Sequence, residues 1–201
     1  MTNRTVRTIA GRAGIALIAA LTVFVSNAAM ATSQLVAPSW LVILPGTTAT
    51  QEPDLVGPSN TIKQKFTISN SAGALVCTGW LEQRIVHSST THFFHFYYRI
   101  LKTSGPGAIS DLEPSGFGRL QTFVAYRQDL ALGVQPTSAF RDISGNEIFF
   151  QLSPPLDCSA HQGTDWLLIK PNADQVYWPA STRIGATSGN LTYVKTYKAV
   201  H

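Results

Sequence analysis

The chain has 201 residues, of which 44% are hydrophobic and 13% are charged, and it contains 15 Gly, 11 Pro and two Cys. Such a composition is typical of one globular domain with a leader and excludes a collagenous, coiled-coil or wholly disordered protein. The formal net charge of +4 falls to +1 once the first 31 residues are set aside, because twelve basic residues then face eleven acidic ones. The remaining cations are spread singly along the chain, so the sequence does not predict binding to nucleic acid.

The first 31 residues have the three regions of a bacterial signal peptide. Three arginines precede an uncharged run of 13 residues, 13–25, and small residues follow at Ala29-Met30-Ala31. We expect cleavage after Ala31, and cleavage after Ala28 also satisfies the small-residue pattern. Thirteen helical residues span about 20 Å, which is short of the roughly 30 Å hydrocarbon core of a bilayer. The sequence therefore predicts a secreted or periplasmic protein with no stable membrane anchor after signal cleavage.

Short apolar or alternating segments, separated by Gly- and Pro-rich turns, fill the rest of the chain. Residues 40–44 form an apolar run that Pro45-Gly46 ends, which predicts a first strand. Residues 47–60 are rich in Thr, Pro and Gly and predict a long loop. The segments that follow alternate with the period of two that is typical of half-buried strands. They are 61–69, 74–86, 92–101, 118–126, the two arms of a hairpin at 139–143 and 147–152, then 165–170, 175–177 and 191–197.

These patterns predict an all-β fold. Outside the leader, no amphipathic helical stretch exceeds a turn or two, and about eight to ten short strands are expected. An antiparallel two-layer β-sandwich formed by residues 32–201 as a single domain is the simplest arrangement of such strands. An eight-stranded β-barrel is the alternative.

Both cysteines, Cys77 and Cys158, lie in the exported part of the chain. In an oxidising compartment two such thiols most often form one disulfide. This bond would close a loop of about 80 residues and contribute about 4 to 5 kcal/mol of stability. A catalytic thiol with a His partner is the alternative, and it requires that the bond does not form.

The segment 92–101 is the most aromatic of the chain. Aromatic strips on exported sandwiches bind sugar rings or other proteins, so Phe94, Phe96, Tyr97 and Tyr98 are the candidate binding face. The alternative is that one side of this strand packs in the core and a loop covers the other, since aromatic residues are ordinary strand formers.

Three histidines near that segment, His87, His92 and His95, are candidate metal ligands because imidazoles bind zinc, copper or nickel. On one strand, however, His92 and His95 point to opposite faces, since their separation is odd. No acid in the segment completes a three-ligand set. Solvent-facing or sheet-face histidines are therefore the favoured interpretation, and no metal site is predicted.

No catalytic or cofactor motif is specific enough to name a reaction. A Gly-x-Ser-x-Gly elbow, a P-loop and a Gly-x-Gly-x-x-Gly fingerprint do not occur, so no nucleotide or other cofactor is expected. Asp111 and Glu113 form a near pair of acids in a predicted loop before Pro114. A glycoside hydrolase needs two such carboxyls across a cleft, although acids among Pro and Gly usually serve turns.

Several apolar segments of the C-terminal half occur in a recognisable order. They are Gly133-Val134-x-Pro136, Ala139-Phe140-Arg141, Ile148-Phe149-Phe150, residues 166–173 and Val176-Tyr177. This order resembles the β-sandwich region of small secreted bacterial proteins, many of them sorted by a PEP-CTERM signal, and the likeness covers residues 117–185. This resemblance implies an exported structural or matrix-associated domain, and it assigns no catalytic residue to this chain. The last residues, 198–201, depart from that group because they contain no Pro-Glu-Pro motif, hydrophobic helix or basic tail.

Together these observations predict an exported β-sandwich that is a non-enzymatic binding protein or a component of the cell surface or matrix. A glycan or a surface protein is the expected partner. Two other classes remain as alternatives: a hydrolase of polysaccharide or cell-wall polymer that uses Asp111 or Glu113, and a periplasmic metal-binding module that uses His87, His92 or His95.

Overall fold

The structure, a computed structural model, describes residues 33–48, 50–51, 60–128 and 133–200. The predicted signal peptide lies outside these residues, as does most of the long loop predicted before residue 60. Within the described ranges, no helix has the length and apolar character needed to cross a membrane.

Thirteen strands are found in the described part of the chain. They are β1 (Gln34–Leu35), β2 (Leu41–Ile43), β3 (Gly46–Thr47), β4 (Asn60–Ser69), β5 (Leu75–His87), β6 (Phe94–Ser104), β7 (Ala108–Pro114), β8 (Thr122–Arg127), β9 (Pro136–Arg141), β10 (Ile148–Asp157), β11 (Leu167–Pro171), β12 (Gln175–Ala186) and β13 (Leu191–Val200). A 3-10 turn, Cys158–Ala160, follows β10.

The strands form two sheets, which confirms the predicted sandwich. The seven-stranded sheet has the order β1-β8-β11-β6-β5-β4, with β3 beside β1 on the same edge of β8, and the six-stranded sheet has the order β13-β12-β7-β10-β9-β2. All pairings are antiparallel except that of β3 with β8. The two sheets remain separate rather than forming one sheet closed on itself.

One predicted loop is wrong. Residues 108–114 form β7, which lies between β10 and β12 in the middle of the six-stranded sheet. This strand was not predicted because Gly and Pro residues usually mark loops. Gly105-Pro106-Gly107 precede it, and Pro114 is its last residue. The predicted hairpin is confirmed, since β9 and β10 pair with Phe140 opposite Phe149.

The main core lies between the two sheets. From the seven-stranded sheet it receives Phe96, Tyr98 and Ile100 of β6, and from the six-stranded sheet it receives Phe150 of β10 and Ile184 of β12. All five side chains are fully buried. The inward residues of each strand therefore follow the alternation expected for a sandwich.

The predicted disulfide is confirmed and joins the two sheets. Cys77 on β5 is bonded to Cys158, which directly follows β10, with a Cα–Cα distance of 5.9 Å. Both cysteines are fully buried in the core, and no free cysteine is present. A catalytic thiol is therefore not available, and the alternative raised for these cysteines is wrong.

Arg141, the last residue of β9, is a buried cation with a structural role. Its guanidinium donates to the backbone carbonyls of Val36, Phe117, Leu120 and Gly145 at 2.7 to 3.1 Å. Hydrogen bonds from a charged donor are stronger than neutral ones, so this side chain fixes three loops at one end of the sandwich.

Candidate functional site

The outer face of the six-stranded sheet carries a row of side chains that crosses every strand. Leu41 lies opposite Phe140, Phe140 opposite Phe149, Glu113 opposite Arg183, and Arg183 opposite Tyr193. The pairing of β7 with β10 brings Phe149 beside Glu113. We call this series the transverse row, and its residues from edge to edge are Leu41, Phe140, Phe149, Glu113, Arg183 and Tyr193.

Arg183 lies at the polar centre of the transverse row. Its Nε and Nη2 both donate to Oε2 of Glu113, and Nη2 also lies 3.1 Å from Oδ1 of Asp111. The guanidinium carbon is 5.9 Å from the centre of the Phe149 ring, within the range of a cation–π contact. One arginine thus connects two carboxylates and an aromatic ring across three strands.

Asp111 occupies a space that only glycine leaves open. Gly185 of β12 lies opposite Asp111, and a Cβ atom at Gly185 would come within 2.4 Å of the carboxylate oxygen. Ser110 Oγ donates to the other carboxylate oxygen at 2.7 Å. Asp111 is 8% exposed, so it supports Arg183 from below rather than reaching a ligand itself.

Glu147 is an acidic neighbour of Glu113 in the polar part of the row. A hydrogen bond with the Glu113 side chain is the main cause that raises the pKa of Glu147. Partial burial and the negative charges of Glu113 and Asp142 also raise this pKa, while Arg183 opposes them. Glu147 therefore keeps its proton to a higher pH than an isolated glutamate does.

These groups line a pocket of about 350 Å³. Ser115 and Ser181 form its polar floor, where the Ser115 hydroxyl donates to the Ser181 carbonyl at 2.7 Å. Tyr193 forms one wall and is 64% exposed. The pocket therefore combines hydroxyl, carboxyl and guanidinium groups with one accessible aromatic ring. Its full lining is Glu113, Ser115, Glu147, Ser181, Arg183, Leu191 and Tyr193.

The acids predicted to lie in a loop, Asp111 and Glu113, are instead on β7 and share the same arginine. A general acid in glycosidic cleavage must be free to give its proton to the substrate, whereas Asp111 and Glu113 both pair with Arg183 and Asp111 is buried.

The aromatic strand predicted as a binding face is buried on both sides. Phe96 and Tyr98 point into the main core, and Tyr97 lies on the outer face of the seven-stranded sheet beneath Trp166, with ring centres 6.3 Å apart. All three are fully buried, and Phe94 packs half-buried against the core. Burial raises the pKa of Tyr98, whose hydroxyl accepts from Gln83 Nε2 at 2.8 Å. These rings pack in the main core or against the outer face of the seven-stranded sheet, so they do not form an open binding face.

The three candidate histidines do not converge. His87 and His92 are exposed, and their ring centres are 6.4 Å apart. His95 is buried on the outer face of the seven-stranded sheet, where its Nε2 lies 3.2 Å from Thr91 Oγ1. In the part of the chain that the structure describes, no group of three or more His, Cys, Asp or Glu side chains could hold a metal ion.

Sequence reasoning missed Glu147, Arg183, Phe149 and Tyr193. Glu147, Phe149 and Tyr193 lie in the predicted strand segments 147–152 and 191–197, so the side of the strand on which each lies was readable. Arg183 lies beyond the predicted segment 175–177, because β12 extends to Ala186. The order of the strands, which brings β7 between β10 and β12, was not readable.

No family model matches the chain, and no curated protein or solved structure is significantly similar to it.

Proposed function

We propose that the protein is an exported glycan-binding protein and that its ligand lies along the transverse row. The observation that carries this proposal is the placement of Phe140 and Tyr193, two accessible rings, on either side of the Glu113–Arg183 ion pair. Export is supported by the leader pattern and by the buried disulfide, since structural disulfides persist in oxidising compartments.

Sugar rings have an apolar face and a rim of hydroxyl groups, and the transverse row offers a partner to each. Exposed aromatic rings bind the apolar face, whereas carboxylates accept hydrogen bonds from hydroxyls and a guanidinium donates to their oxygens. Phe140 is 39% and Tyr193 is 64% exposed. Both kinds of contact are therefore available to one ligand.

The dimensions and charge of the row narrow the ligand class. From β9 to β13 there are four strand spacings, or about 19 Å, which is long enough for several sugar rings in series. At the centre, three carboxyl groups (Asp111, Glu113 and Glu147) surround the single guanidinium of Arg183. Like charges across an interface suppress binding, so a neutral or amino-bearing glycan is favoured over a polymer of uronic acids.

The proposal is tested by binding of the purified, oxidised protein to an array of neutral, amino-bearing and uronic-acid polysaccharides. We expect saturable binding to a member of the first two classes, weakened at least about tenfold, or about 1.4 kcal/mol, in Tyr193→Ala and in Phe140→Ala. Trp80→Ala is the matched control, because Trp80 is 40% exposed and lies on the outer face of the other sheet.

Two results would contradict the proposal. One is absence of binding to every glycan, which would favour a protein partner for this face. The other is an equal loss of binding in Trp80→Ala, which would place the ligand elsewhere.

A further inference from the structure

The free edge of β2 is an exposed apolar strand. β2 lies at one edge of the six-stranded sheet and, among the residues that the structure describes, pairs with β9 alone. The two side chains of β2 on the outer face, Leu41 and Ile43, are 68% and 85% exposed. Large apolar side chains on an unpaired edge strand favour pairing with another strand.

The backbone of β2 also presents free hydrogen-bonding groups along this edge. The Trp40 carbonyl accepts from an N–H of β9 at 3.0 Å, and the Leu44 N–H donates to a carbonyl of β9 at 3.1 Å. Because alternate residues of an antiparallel strand bond to the same neighbour, the backbone groups of Leu41 and Ile43 point away from β9. No residue that the structure describes bonds to these groups.

The other edges of the two sheets carry features that oppose pairing with a second copy. β4 has the exposed Lys65, and β13 has the exposed Lys195. A cation on an edge strand repels the same strand of another copy. The edge formed by β1 and β3 consists of strands of two residues each. Residues 32–51, in contrast, contain no charged residue, so two copies that meet at β2 bring no like charges together.

We propose that the protein forms a symmetric dimer in which β2 pairs antiparallel with β2 of a second copy. A two-fold axis at Val42 places Leu41 opposite Ile43 of the second copy, and Ile43 opposite its Leu41. The N–H and C=O groups at both positions face the free edge. Each pair therefore exchanges two hydrogen bonds, and the dimer gains four.

Two flanking residues disfavour the other symmetric registers. If Leu41 lay opposite its own copy, Ile43 would lie opposite Ser39, whose positive φ of 65° ends the extended strand. If Ile43 lay opposite its own copy, Leu41 would lie opposite Pro45, which has no N–H to donate. The axis at Val42 avoids both losses.

The same register covers the exposed side chains of the edge. On the outer face, Leu41 packs beside Ile43 of the second copy, and this contact occurs twice. On the other face, the exposed Trp40 lies opposite Leu44 of the second copy. Five residues from each copy are fewer than the roughly 20 to 30 of a standard interface, so we expect a reversible dimer.

The dimer has a consequence that rests on the proposed function. Leu41 is the end of the transverse row, so the rows of the two copies meet at this interface on one continuous outer face. Association of the copies is measured without any glycan. Failure of the dimer and failure of glycan binding are therefore distinguishable.

Sedimentation velocity of the purified, oxidised protein at increasing concentration tests the proposal. We expect a monomer–dimer equilibrium with a dissociation constant below about 500 µM. Ile43→Lys should weaken it at least about tenfold, because it removes two apolar side chains from the interface and adds two cations. Ile143→Lys is the matched control and should leave it unchanged, since Ile143 is 86% exposed but lies in the turn between β9 and β10.

Cross-linking tests the register. Leu41→Cys of one copy and Ile43→Cys of the other would have Cα atoms about 5.5 Å apart, within the range of a disulfide, up to about 7 Å. Two copies of the same variant would hold their new cysteines about 9 Å apart, which is too far. We expect an equal mixture of the two variants to cross-link at least about tenfold faster than either variant alone.

Three results would overturn the proposal. The first is a wild-type protein that remains monomeric at about 500 µM, and this result decides the matter even where a variant fails to fold. The second is a dimer that Ile43→Lys and Ile143→Lys weaken equally. The third is faster cross-linking in one variant alone than in the mixture.

Discussion

Both sheets carry aromatic side chains on their outer faces, but the centre of the seven-stranded sheet is covered, and Trp80 on β5 stays 40% exposed outside that cover. On the seven-stranded sheet, Tyr97 packs with Val86, Ala125, Trp166 and Leu168 in a second small core, and all five are at most 4% exposed. On the six-stranded sheet, Phe140 and Tyr193 remain accessible. Alternation along a strand is the same in both cases, so the presence of a cover decides which rings can meet a ligand.

The cover of the seven-stranded sheet is built from charged and aromatic side chains of the sheet itself. Arg99 lies over the Trp166 ring, with its guanidinium carbon 4.3 Å from the ring centre, and its Nη2 is 2.7 Å from Glu82. The corresponding cation of the six-stranded sheet, Arg183, is held by carboxylates beside Phe149 and leaves the neighbouring rings open. An arginine thus completes a cover on one sheet and a polar site on the other.

The largest expected effect is that of removing the disulfide that links the two sheets. In Cys77→Ser with Cys158→Ser, the cross-link between the sheets is lost and its loop of 81 residues is no longer closed. We expect the free energy of unfolding to fall by about 4 to 5 kcal/mol, because closing so long a loop restricts the unfolded chain. Urea unfolding of the double variant and the oxidised wild type measures the difference, and a loss below about 1 kcal/mol would contradict this account.

A pair of substitutions compares the two faces directly. Trp166→Ala should destabilise the protein by about 3 to 5 kcal/mol, because it opens a cavity over Tyr97. Tyr193→Ala should change stability by no more than about 0.5 kcal/mol, since the side chain is largely exposed. Equal losses in chemical denaturation would show that the two faces do not differ as described.

The smallest expected effect is a pH dependence at the polar site. Because the pKa of Glu147 is raised in the folded protein, its contribution to stability is present below the ordinary pKa of glutamate, about 4.3, and is lost as pH rises through the raised value. We expect this contribution to stay below about 1 kcal/mol, since the group is partly solvated.

Unfolding at several pH values between 4 and 7 tests this sign. Relative to the wild type, Glu147→Gln should gain stability as pH rises, and Glu113→Gln should reduce the same dependence because it removes the carboxylate partner of Glu147. A wild type whose stability, relative to Glu147→Gln, rises with pH would contradict the raised pKa of Glu147.

Much of the fold was readable from the sequence because it depends on local patterns. The alternation of 61–69 and 191–197 predicts β4 and β13, the turn at 144–146 predicts the β9–β10 hairpin, and the two cysteines predict their bond. β7 was missed because Gly and Pro flank it.

The candidate site was not readable because it depends on strand order and on cover. The polar groups come together because β7 lies between β10 and β12 in the sheet. These groups are Glu113, Glu147 and Arg183. Similarly, parity within β6 shows that Tyr97 faces outward, but only the placement of Trp166 shows that it is buried.

The most direct test of the central claim is to map the glycan onto the two faces by NMR. The amide shifts of the isotope-labelled protein are recorded while an oligosaccharide of the bound class is added. The account predicts that the shifts concentrate on β7, β9, β10, β12 and β13, around Phe140, Glu113 and Tyr193. Shifts concentrated around Tyr97 and Trp166 on the other sheet would contradict it.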